Sequence, residues 1–551
     1  MEHTSETYRD LHDAIASVAL KESRDGAIIV KSENTGAREL WIFDLRALML
    51  QGAWLDRYAE MFWDLYKEKL PFQVGGMETA GIPLVSAIVM KGIERGTPIN
   101  GFFLRKSRKR QGLMQDVEGT LTDEPIVLVD DLVNSSSTIT KQVDILHKRG
   151  NRVSDAFVMI AFRDDAAYSA LLQKGVALKH LFTLKDFGKP LLRSDGPEVP
   201  KESFAQIWKF TSPDPSRHLV VQKSTPLLHK GKLFAGFDDG HFRALDAANG
   251  EIVWEFSVGK HPVGKSILSS PTIADDIVYF GAYDGNVYAL DTKTGKNIWT
   301  YGEADWIGSS PDLAPDLGLL YIGLEFGLFR RRGGIAALDL RTGARRWMAY
   351  HADLTHASPL YIREESLVVI GSNDGVLYAY DAKSGQLRWK FATRGDIKTR
   401  PAYDPTRRAV IVASLDGIVY SLSARDGTPI FAFEAGPIYS TPLVSGDVAF
   451  VSSLDKCVYA IALASGKKIW IFETGGRIFA SPMLADSSLW IGSNDGRLYE
   501  LDPSSGKLLN FFQATERIVN KITYDNDTKN FYVPTQANEI YCLQRAPSER
   551  P

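Results

Sequence analysis

The hydrophobic and polar positions follow two different patterns in the two parts of this 551-residue chain. In residues 1–187, apolar side chains recur at helical spacing, and continuous apolar runs lie at 125–129 and 156–162. The helical stripes comprise Tyr8, Leu11, Ile15 and Val18, and Tyr58, Met61, Phe62, Leu65 and Tyr66. Amphipathic helices alternating with apolar strands predict an α/β fold with a buried parallel sheet. Residues 188–204 combine proline, glycine and charge without periodicity, which predicts a linker.

Residues 205–546 repeat one short unit. Its clearest copy, GAYDGNVYALDTKTGKNIW at 281–299, recurs at 371–389 and 492–510, with weaker copies at 236–254 and 452–470. The Asp-Gly pair is typical of a tight turn between two strands, and the run after it of a strand. The last position of the unit recurs every 39–48 residues, at Trp208, Trp254, Trp299, Trp347, Trp389, Phe431, Trp470 and Asn510. Each period therefore predicts about four short strands, one blade of an all-β propeller.

The two ends of the repeat region complement each other. The strand 539–543 lacks a following tryptophan strand, and the strand 206–210 around Trp208 lacks a preceding blade. Joined together they make one blade, which predicts eight blades; seven is the alternative, because both terminal copies are poor. The third repeat also contains an insertion, Arg330, Arg331 and Arg332. A solvated loop is favoured for this insertion over a site that binds an anion or a partner.

Composition excludes several classes of protein. The net charge is −3, apolar residues make up 44% and charged residues 24%, so the chain is neither disordered nor a nucleic-acid binder over its whole length. Only two cysteines, Cys457 and Cys542, are present, which is typical of a reducing compartment. The first residues contain no continuous apolar run, and we expect a cytoplasmic protein that does not enter a membrane.

The strongest chemical signal is IVLVDDLVNSSSTI at 126–139. An apolar strand is followed by two carboxylates, Asp130 and Asp131, and by small hydroxyl residues that lead into a helix. Such a turn presents backbone N–H groups to a phosphate, and the carboxylates can hold ribose hydroxyls directly or through magnesium. The alternative is an acidic strand end followed by a serine N-cap.

This segment resembles the phosphoribosyl-pyrophosphate motif of type I phosphoribosyltransferases, and four others resemble their orotate phosphoribosyltransferase branch in the same order. They are VKS at 30–32 with FDLR at 43–46, VGGMETAGIP at 74–83, FLRKSRKRQG at 103–112, and AFRDDA at 161–166 with LFTLKDF at 181–187. The resemblance implies pentosyl transfer from phosphoribosyl pyrophosphate to orotate or a related pyrimidine, in a Mg²⁺-dependent homodimer.

The same resemblance implies a role for each matched residue. The implied catalytic residues are Arg105, Lys106, Lys109 and Asp131, and the implied metal-holding residues are Asp130 and Asp131. Phosphoribosyl pyrophosphate would be bound by Gly75, Gly76, Met77, Asp130, Asp131, Asn134, Ser135, Ser136, Ser137 and Thr138. The base would be bound by Lys31 and Arg163, whose counterpart in the family meets the carboxylate of the base.

The repeats at 205–546 resemble the pyrroloquinoline-quinone-type propeller repeat, whose tryptophan docks one blade on the next. The cofactor is not expected here, because the two cysteines stand 85 positions apart and are not the adjacent pair typical of the quinone dehydrogenases. We expect this domain to bind a protein or a small ligand, and no specific nucleic acid.

Two functional hypotheses follow from the sequence. The first is a pyrimidine phosphoribosyltransferase with a propeller for binding or assembly. The second is a non-catalytic sensor or scaffold that binds phosphoribosyl pyrophosphate or a nucleotide. The enzyme is favoured by the retained residues Asp130, Asp131, Lys106, Lys109 and Arg163. The sensor is favoured by Gln111 at a histidine position of the family, by Ser136 and Glu33 at glycine positions, and by the fused propeller.

Overall fold

A computed structural model describes residues 6–22, 30–31, 38–39, 41–105, 117–134, 137–191, 204–213, 224–259, 266–328, 331–514 and 516–545. The chain divides into two compact units, Met1–Glu198 and Val199–Pro551, which are described separately below. None of the helices in these described ranges has the length and apolar composition that a membrane crossing requires.

The first unit is an α/β fold, as predicted. Its helices are α1 (Glu6–Ala14), α2 (Arg46–Met49), α3 (Gly52–Tyr66), α4 (Gly81–Glu94), α5 (Ser137–Lys148) and α6 (Ser169–Gln173), with a π-helical turn at Ile15–Ala19 and 3₁₀ turns at Lys67–Lys69, Asp165–Tyr168 and Leu184–Phe187. Its strands are β1 (Leu20–Glu22), β2 (Val30–Lys31), β3 (Arg38–Glu39), β4 (Trp41–Phe43), β5 (Gln73–Met77), β6 (Gly101–Leu104), β7 (Val117–Glu118), β8 (Ile126–Val133), β9 (Val153–Ala161) and β10 (Ala177–Thr183).

Six of these strands form the central sheet in the order β10-β9-β8-β5-β6-β7. All neighbours pair in parallel except β6 and β7, which are antiparallel. Alternate residues of β8 face opposite layers: Val127 and Val129 pack with α3 and α4, whereas Ile126 and Leu128 pack with α5. The sheet is therefore covered by helices on both faces, which explains the continuous apolar runs at 126–129 of β8 and 156–161 of β9.

The N-terminal segment adds two small antiparallel ladders, β1 with β4 and β2 with β3. The helical stripe predicted around Tyr58 is observed in α3, where Tyr58, Phe62 and Tyr66 are fully buried. Their rings pack around Phe157 of β9 at centroid distances of 5.4–5.9 Å.

The second unit consists of eight four-stranded antiparallel sheets, so the eight-blade prediction is confirmed and the seven-blade alternative is wrong. Its strands, after β11 (Phe204–Thr211), are in chain order β12 (Leu227–His229), β13 (Lys232–Gly236), β14 (His241–Asp246), β15 (Ile252–Ser257); β16 (Thr272–Ala274), β17 (Ile277–Gly281), β18 (Asn286–Asp291), β19 (Asn297–Gly302); β20 (Asp312–Ala314), β21 (Leu319–Phe326), β22 (Arg332–Asp339), β23 (Arg345–His351); β24 (Leu360–Ile362), β25 (Leu367–Gly371), β26 (Val376–Asp381), β27 (Leu387–Ala392); β28 (Ala402–Asp404), β29 (Ala409–Ala413), β30 (Ile418–Ser423), β31 (Pro429–Glu434); β32 (Leu443–Ser445), β33 (Val448–Ser452), β34 (Cys457–Ala462), β35 (Lys467–Glu473); β36 (Met483–Ala485), β37 (Ser488–Gly492), β38 (Arg497–Leu501), β39 (Leu508–Gln513); and β40 (Thr523–Tyr524), β41 (Phe531–Pro534), β42 (Glu539–Arg545).

The eighth blade is built from both ends of the propeller sequence. Its strand order is β11-β42-β41-β40, with Trp208 opposite Cys542 and Phe210 opposite Ile540. The predicted closure is therefore observed, and β42 has a paired strand on both sides.

The repeated tryptophan joins one blade to the next at six of the eight repeat positions. The indole Nε1 of Trp208 donates to the carbonyl of Ala247 at 3.1 Å, and the same contact recurs for Trp254, Trp299, Trp347, Trp389 and Trp470. A glycine three residues after each acceptor lies under the ring; a Cβ on Gly250, for example, would sit 2.6 Å from the Trp208 ring. Glycine is required at this position because it also has a positive φ of 77°.

The repeated aspartate is likewise structural. Asp495 accepts hydrogen bonds from the main-chain N–H of Arg497, from the hydroxyl of Tyr499 and from the N–H of Gly475 in the preceding blade. Equivalent contacts are made by Asp284, Asp374, Asp416 and Asp455. In these five repeats, therefore, the Asp-x-x-x-Tyr positions hold both the turn and the joint between blades.

The basic insertion of the third repeat follows strand β21, and its last residue, Arg332, is the first residue of β22. Arg331 forms an ion pair with Asp353 at 2.6 Å, and the guanidinium of Arg332 stacks over the Tyr350 ring at 4.1 Å from its centroid. Arg330 lies outside the described residues. The two described arginines thus have partners within the propeller, and the interpretation of the insertion as a solvated loop stays a prediction.

Candidate active site

The carboxyl ends of β5 and β8 mark the place where the strand order of the sheet reverses. From β5 the chain moves outward to β6 and β7, and then returns to the other side of β5 with β8, β9 and β10. In open α/β sheets, ligands bind in the crevice at such a switch point. Met77 ends β5, and Asp130 and Asp131 lie near the end of β8, so three predicted site residues meet at this crevice.

The glycines of β5 are buried and tightly packed. A Cβ on Gly75 would lie 2.2 Å from the Phe102 ring, and one on Gly76 would lie 2.9 Å from the Cα of Gly81. These glycines thus allow Phe102 and the start of α4 to pack against β5. The part of the predicted pyrophosphate loop that reaches the surface is the turn after β5, where Thr79 is exposed.

The two carboxylates lie within the strand and not after it, because β8 continues to Val133. Both residues are half-buried, and the Oδ1 atom of each accepts the main-chain N–H of the next residue, at 3.0 Å for Asp130 and 2.9 Å for Asp131. Beneath them lies the fully buried hydroxyl of Tyr58, whose pKa is raised well above its usual value by burial and by the charges of Asp130 and Asp131. Tyr58 therefore remains a neutral phenol next to the carboxylates.

A hydrogen-bond chain links the ends of β8 and β9. The Nε of Arg163 donates to Oδ1 of Asn134 at 3.1 Å. The main-chain N–H of Arg163 donates to the hydroxyl of Tyr168, which in turn donates to the carbonyl of Val133, each at 3.0 Å. The predicted base-binding arginine is thereby held beside a predicted phosphoribosyl-pyrophosphate residue.

Aromatic residues of the N-terminal segment cover this side of the sheet. Phe162, next to Arg163, contacts Trp41 and Phe43 at ring-centroid distances of 6.0 and 5.8 Å. Strand β4 thus packs at the carboxyl end of β9, where the predicted base site lies. The backbone of Lys31, the other predicted base-binding residue, pairs with that of Arg38 in the β2–β3 ladder. The Lys31 side chain is not among the described parts of the structure.

Arg105 is held by two carboxylates from neighbouring strand ends. Its Nε donates to Oε1 of Glu118 at 2.7 Å, and its Nη1 lies 3.8 Å from Oε2 of Glu78 in the turn after β5. Arg105 therefore connects the predicted catalytic loop with the predicted pyrophosphate loop. Lys106, Lys109 and Gln111 lie outside the described residues.

The predicted phosphate loop leads into α5. Ser135 and Ser136 lie outside the described residues, and α5 begins at Ser137, with Thr138 also in its first turn. The side chains of Ser137 and Thr138 are likewise not described. A helix that starts directly after β8 directs its first N–H groups toward the switch-point crevice, which is the arrangement that binds phosphate.

The pair Asp130 and Asp131 suits a magnesium ion that shares its ligands with substrate and water, and not a metal held by protein side chains alone. Within the described residues no group of three or more histidine, cysteine or acidic side chains is arranged for a metal. Mg²⁺ is commonly held by one or two carboxylates together with substrate phosphates and water, and two half-buried carboxylates at the crevice provide that donor set.

Three contacts of this site were not predicted from the sequence. Tyr58 appeared only as part of an apolar helical stripe, and Glu118 only as a continuation of the segment that resembles the catalytic loop. Tyr168 carried no local signal. Their contributions depend on contacts between residues distant in sequence, which a single sequence does not reveal.

Comparison with known proteins identifies relatives of both units. Over 187 residues the chain is 30% identical to an orotate phosphoribosyltransferase from Rhodopirellula baltica (strain DSM 10527 / NCIMB 13988 / SH1); the match spans 33% of this chain and 95% of that relative. Over 158 residues it is 28% identical to an orotate phosphoribosyltransferase from Bradyrhizobium sp. (strain ORS 278), a match that spans 28% of this chain and 85% of the relative.

The propeller unit matches the family model PQQ_2, described as outer membrane protein assembly factor BamB, at residues 200–360, 331–434 and 373–522. BamB from Moraxella catarrhalis has a similar fold, with a TM-score of 0.51 and 18% identity over 63% of this chain and 99% of that one. A europium-containing methanol dehydrogenase is similar with a TM-score of 0.52 and 16% identity, over 60% of this chain and 84% of that one. The chain thus joins two families: its first unit belongs to the orotate phosphoribosyltransferases, and its second unit to the PQQ_2 repeat proteins.

Proposed function

We propose that the first unit transfers the phosphoribosyl group of phosphoribosyl pyrophosphate to orotate or a related pyrimidine base. The observation that carries this proposal is the convergence of four strand ends at one crevice. These ends bring together the carboxylates Asp130 and Asp131, the Arg163–Asn134 pair, and Arg105 next to the turn after β5. A family relationship to orotate phosphoribosyltransferases supports the choice of substrates.

The reaction breaks the bond between C1 of the ribose and the pyrophosphate oxygen, and forms a bond from C1 to a pyrimidine nitrogen that gives up its proton. Asp130 and Asp131 would hold the ribose hydroxyls and Mg²⁺, whose charge offsets that of the departing pyrophosphate. Arg163, fixed by Asn134 and Tyr168, would bind the carboxylate of the base, because a guanidinium matches a carboxylate with two donors. Arg105, Lys106 and Lys109 would stabilise the leaving phosphates.

The remaining parts of the proposal concern assembly and location. We propose a cytoplasmic homodimer formed through the first unit, with the propeller binding a protein or small-ligand partner. The alternative is a sensor that binds phosphoribosyl pyrophosphate without turnover, and the substitution of histidine by Gln111 favours it. The two functions differ in a single measurable property, the release of pyrophosphate.

The direct test is an assay of the full chain with Mg²⁺, phosphoribosyl pyrophosphate and orotate, followed by the release of pyrophosphate. We expect turnover, and we expect Asp130→Asn combined with Asp131→Asn to lower it by about 100-fold or more, because electrostatic contacts to developing charge typically contribute that much. Asp123→Asn is the matched control, since Asp123 is exposed in the loop before β8. Calorimetric binding of phosphoribosyl pyrophosphate without turnover would decide for the sensor.

A second variant distinguishes binding of the base from binding of phosphoribosyl pyrophosphate. Arg163→Ala should raise the KM for orotate while the affinity for phosphoribosyl pyrophosphate stays nearly unchanged, and Arg149→Ala, at an exposed site after α5, is its control. Equal losses of both affinities would show that Arg163 acts through the fold and not through the base. If the variant with both Asp130→Asn and Asp131→Asn binds phosphoribosyl pyrophosphate like the wild type, the crevice is not the binding site for this substrate.

A further inference from the structure

The propeller has a repeated position that faces its central channel. In seven of the eight blades a proline immediately precedes the innermost strand, and Ile522 takes its place in the eighth. The residue before it lines a central cavity of about 590 Å³ in every blade. We call these eight residues the channel ring; six carry hydroxyls, Thr225, Ser270, Ser310, Ser358, Thr441 and Ser481, and two are the cations Arg400 and Lys521.

The serines of the channel ring accept hydrogen bonds from the neighbouring blade. Ser270, Ser310, Ser358 and Ser481 each accept a main-chain N–H from the ring residue of the preceding blade, at 2.8–3.0 Å. A hydroxyl that accepts through its oxygen still has one hydrogen to donate. Across the described part of the chain, no acceptor is found for these four hydrogens, so they remain available to a ligand in the cavity.

The cations of the cavity are not fully neutralised. Lys398 and Arg400 each have a carboxylate partner, Asp396 at 3.2 Å and Asp312 at 2.7 Å. The imidazole Nδ1 of His356 lies 3.0 Å from Oε2 of Glu325. For Lys521, no carboxylate of the described residues lies within ion-pair distance, although water reaches its side chain. Desolvation by the surrounding protein and repulsion from Arg400 lower the pKa of Lys521, and a bound anion would counteract both by favouring the charged ammonium.

We propose that the channel ring binds a compact polyanion bearing phosphate or carboxylate groups. Lys521 provides the positive charge, and Arg400 adds N–H donors beside its ion pair with Asp312. The serine hydroxyls provide directed hydrogen bonds to the oxygens of the ligand. The cavity volume falls within the ~300–1,000 Å³ typical of small-ligand sites. This inference is independent of the transferase reaction, since it concerns residues of the propeller alone.

The test measures protection of one side chain in the full chain. Lysine acetylation is followed by mass spectrometry with phosphate, pyrophosphate or citrate present, and with sodium chloride at equal ionic strength. We expect the polyanions to slow modification of Lys521 and to leave Lys383, an exposed lysine on an outer loop of the same propeller, unaffected. Because the signal is local, binding of pyrophosphate to the first unit does not contribute to it.

The strength of the site is tested by titration with the anion that protects best. Lys521→Gln should weaken binding by about tenfold, equivalent to ~1.4 kcal/mol, and Lys383→Gln should leave it unchanged. Protection by pyrophosphate alone assigns a phosphate-bearing ligand, and protection by citrate as well extends the site to carboxylates. Modification of Lys521 at the same rate with all three anions, or equal protection by sodium chloride, would overturn the proposal.

Discussion

At the scale of the residue, the side chain at each joint of the propeller decides whether the joint contains an indole hydrogen bond. Six joints contain an indole whose N–H donates to a carbonyl of the next blade, as Trp389 donates to Ala424 at 2.9 Å. Phe431 occupies the same position against Gly466 but has no donor, so the carbonyl of Leu463 lacks that bond. The difference between the two joints is therefore one hydrogen bond, with the packing of the ring retained.

We predict that Phe431→Trp stabilises the propeller by about 0.5–1.5 kcal/mol, the usual net value of one internal hydrogen bond. Trp389→Phe, which creates the same deficiency at another joint, should destabilise it by a similar amount. Thermal unfolding of both variants beside the wild type measures the effect. A destabilised Phe431→Trp protein would mean that the joint has no room for the larger ring.

At the scale of the element, strand β11 closes the ring. It pairs with β42 from Phe204–Arg545 to Thr211–Glu539 and places Trp208 on Ala247 of the first blade. Without it, β42 would become an edge strand, and the joint between the last blade and the first would lose its indole.

Deletion of 204–212 should therefore destabilise the propeller well beyond the ~1 kcal/mol of an average point mutant. Deletion of the equally long segment 192–200, in the predicted linker, is the control. Unfolding is followed by the fluorescence of the propeller tryptophans. An unchanged midpoint after the first deletion would contradict closure by the two ends of the domain.

At the scale of the whole molecule, two families are combined in one chain, and each unit has hydrophobic clusters made of its own residues. A unit with its own core is able to unfold separately. Ligands that bind only the native form of one unit should then stabilise that unit alone.

We predict two unfolding transitions in calorimetry. Phosphoribosyl pyrophosphate with Mg²⁺, at about 100 times its Kd, should stabilise the first unit by ~2.7 kcal/mol and leave the propeller transition in place. Deletion of 204–212 should shift only the propeller transition. A single transition that responds to both changes would show that the two units unfold together.

The sequence predicted the fold because its signals are local and repeated. Helical spacing around Tyr58, the apolar run that became β8, and the recurring Asp-Gly and tryptophan positions each reflect a short stretch of chain whose periodicity follows its own secondary structure. The closure by Trp208 was predictable for the same reason, since a missing strand at one end matched an extra strand at the other.

The site was predicted only in part. The sequence brought out Asp130 and Asp131 as a pair after an apolar run, but it did not show that β8 continues through them. It attributed Gly75 and Gly76 to close approach of a ligand, whereas the structure also requires them for Phe102 and Gly81. Packing partners of this kind come from other elements, so no spacing within the loop reveals them.

The sequence by itself thus determined the two families, the eight blades and the residue types that carry the proposed chemistry, because local periodicity and short motifs encode them. Only the tertiary structure decided which of these residues meet. It placed Arg163 on Asn134, Arg105 between Glu118 and Glu78, and both Lys521 and Arg400 in one channel. The physical reason is that parallel strand ends and propeller blades bring together residues far apart in the chain, and burial and charge then act on the assembled group.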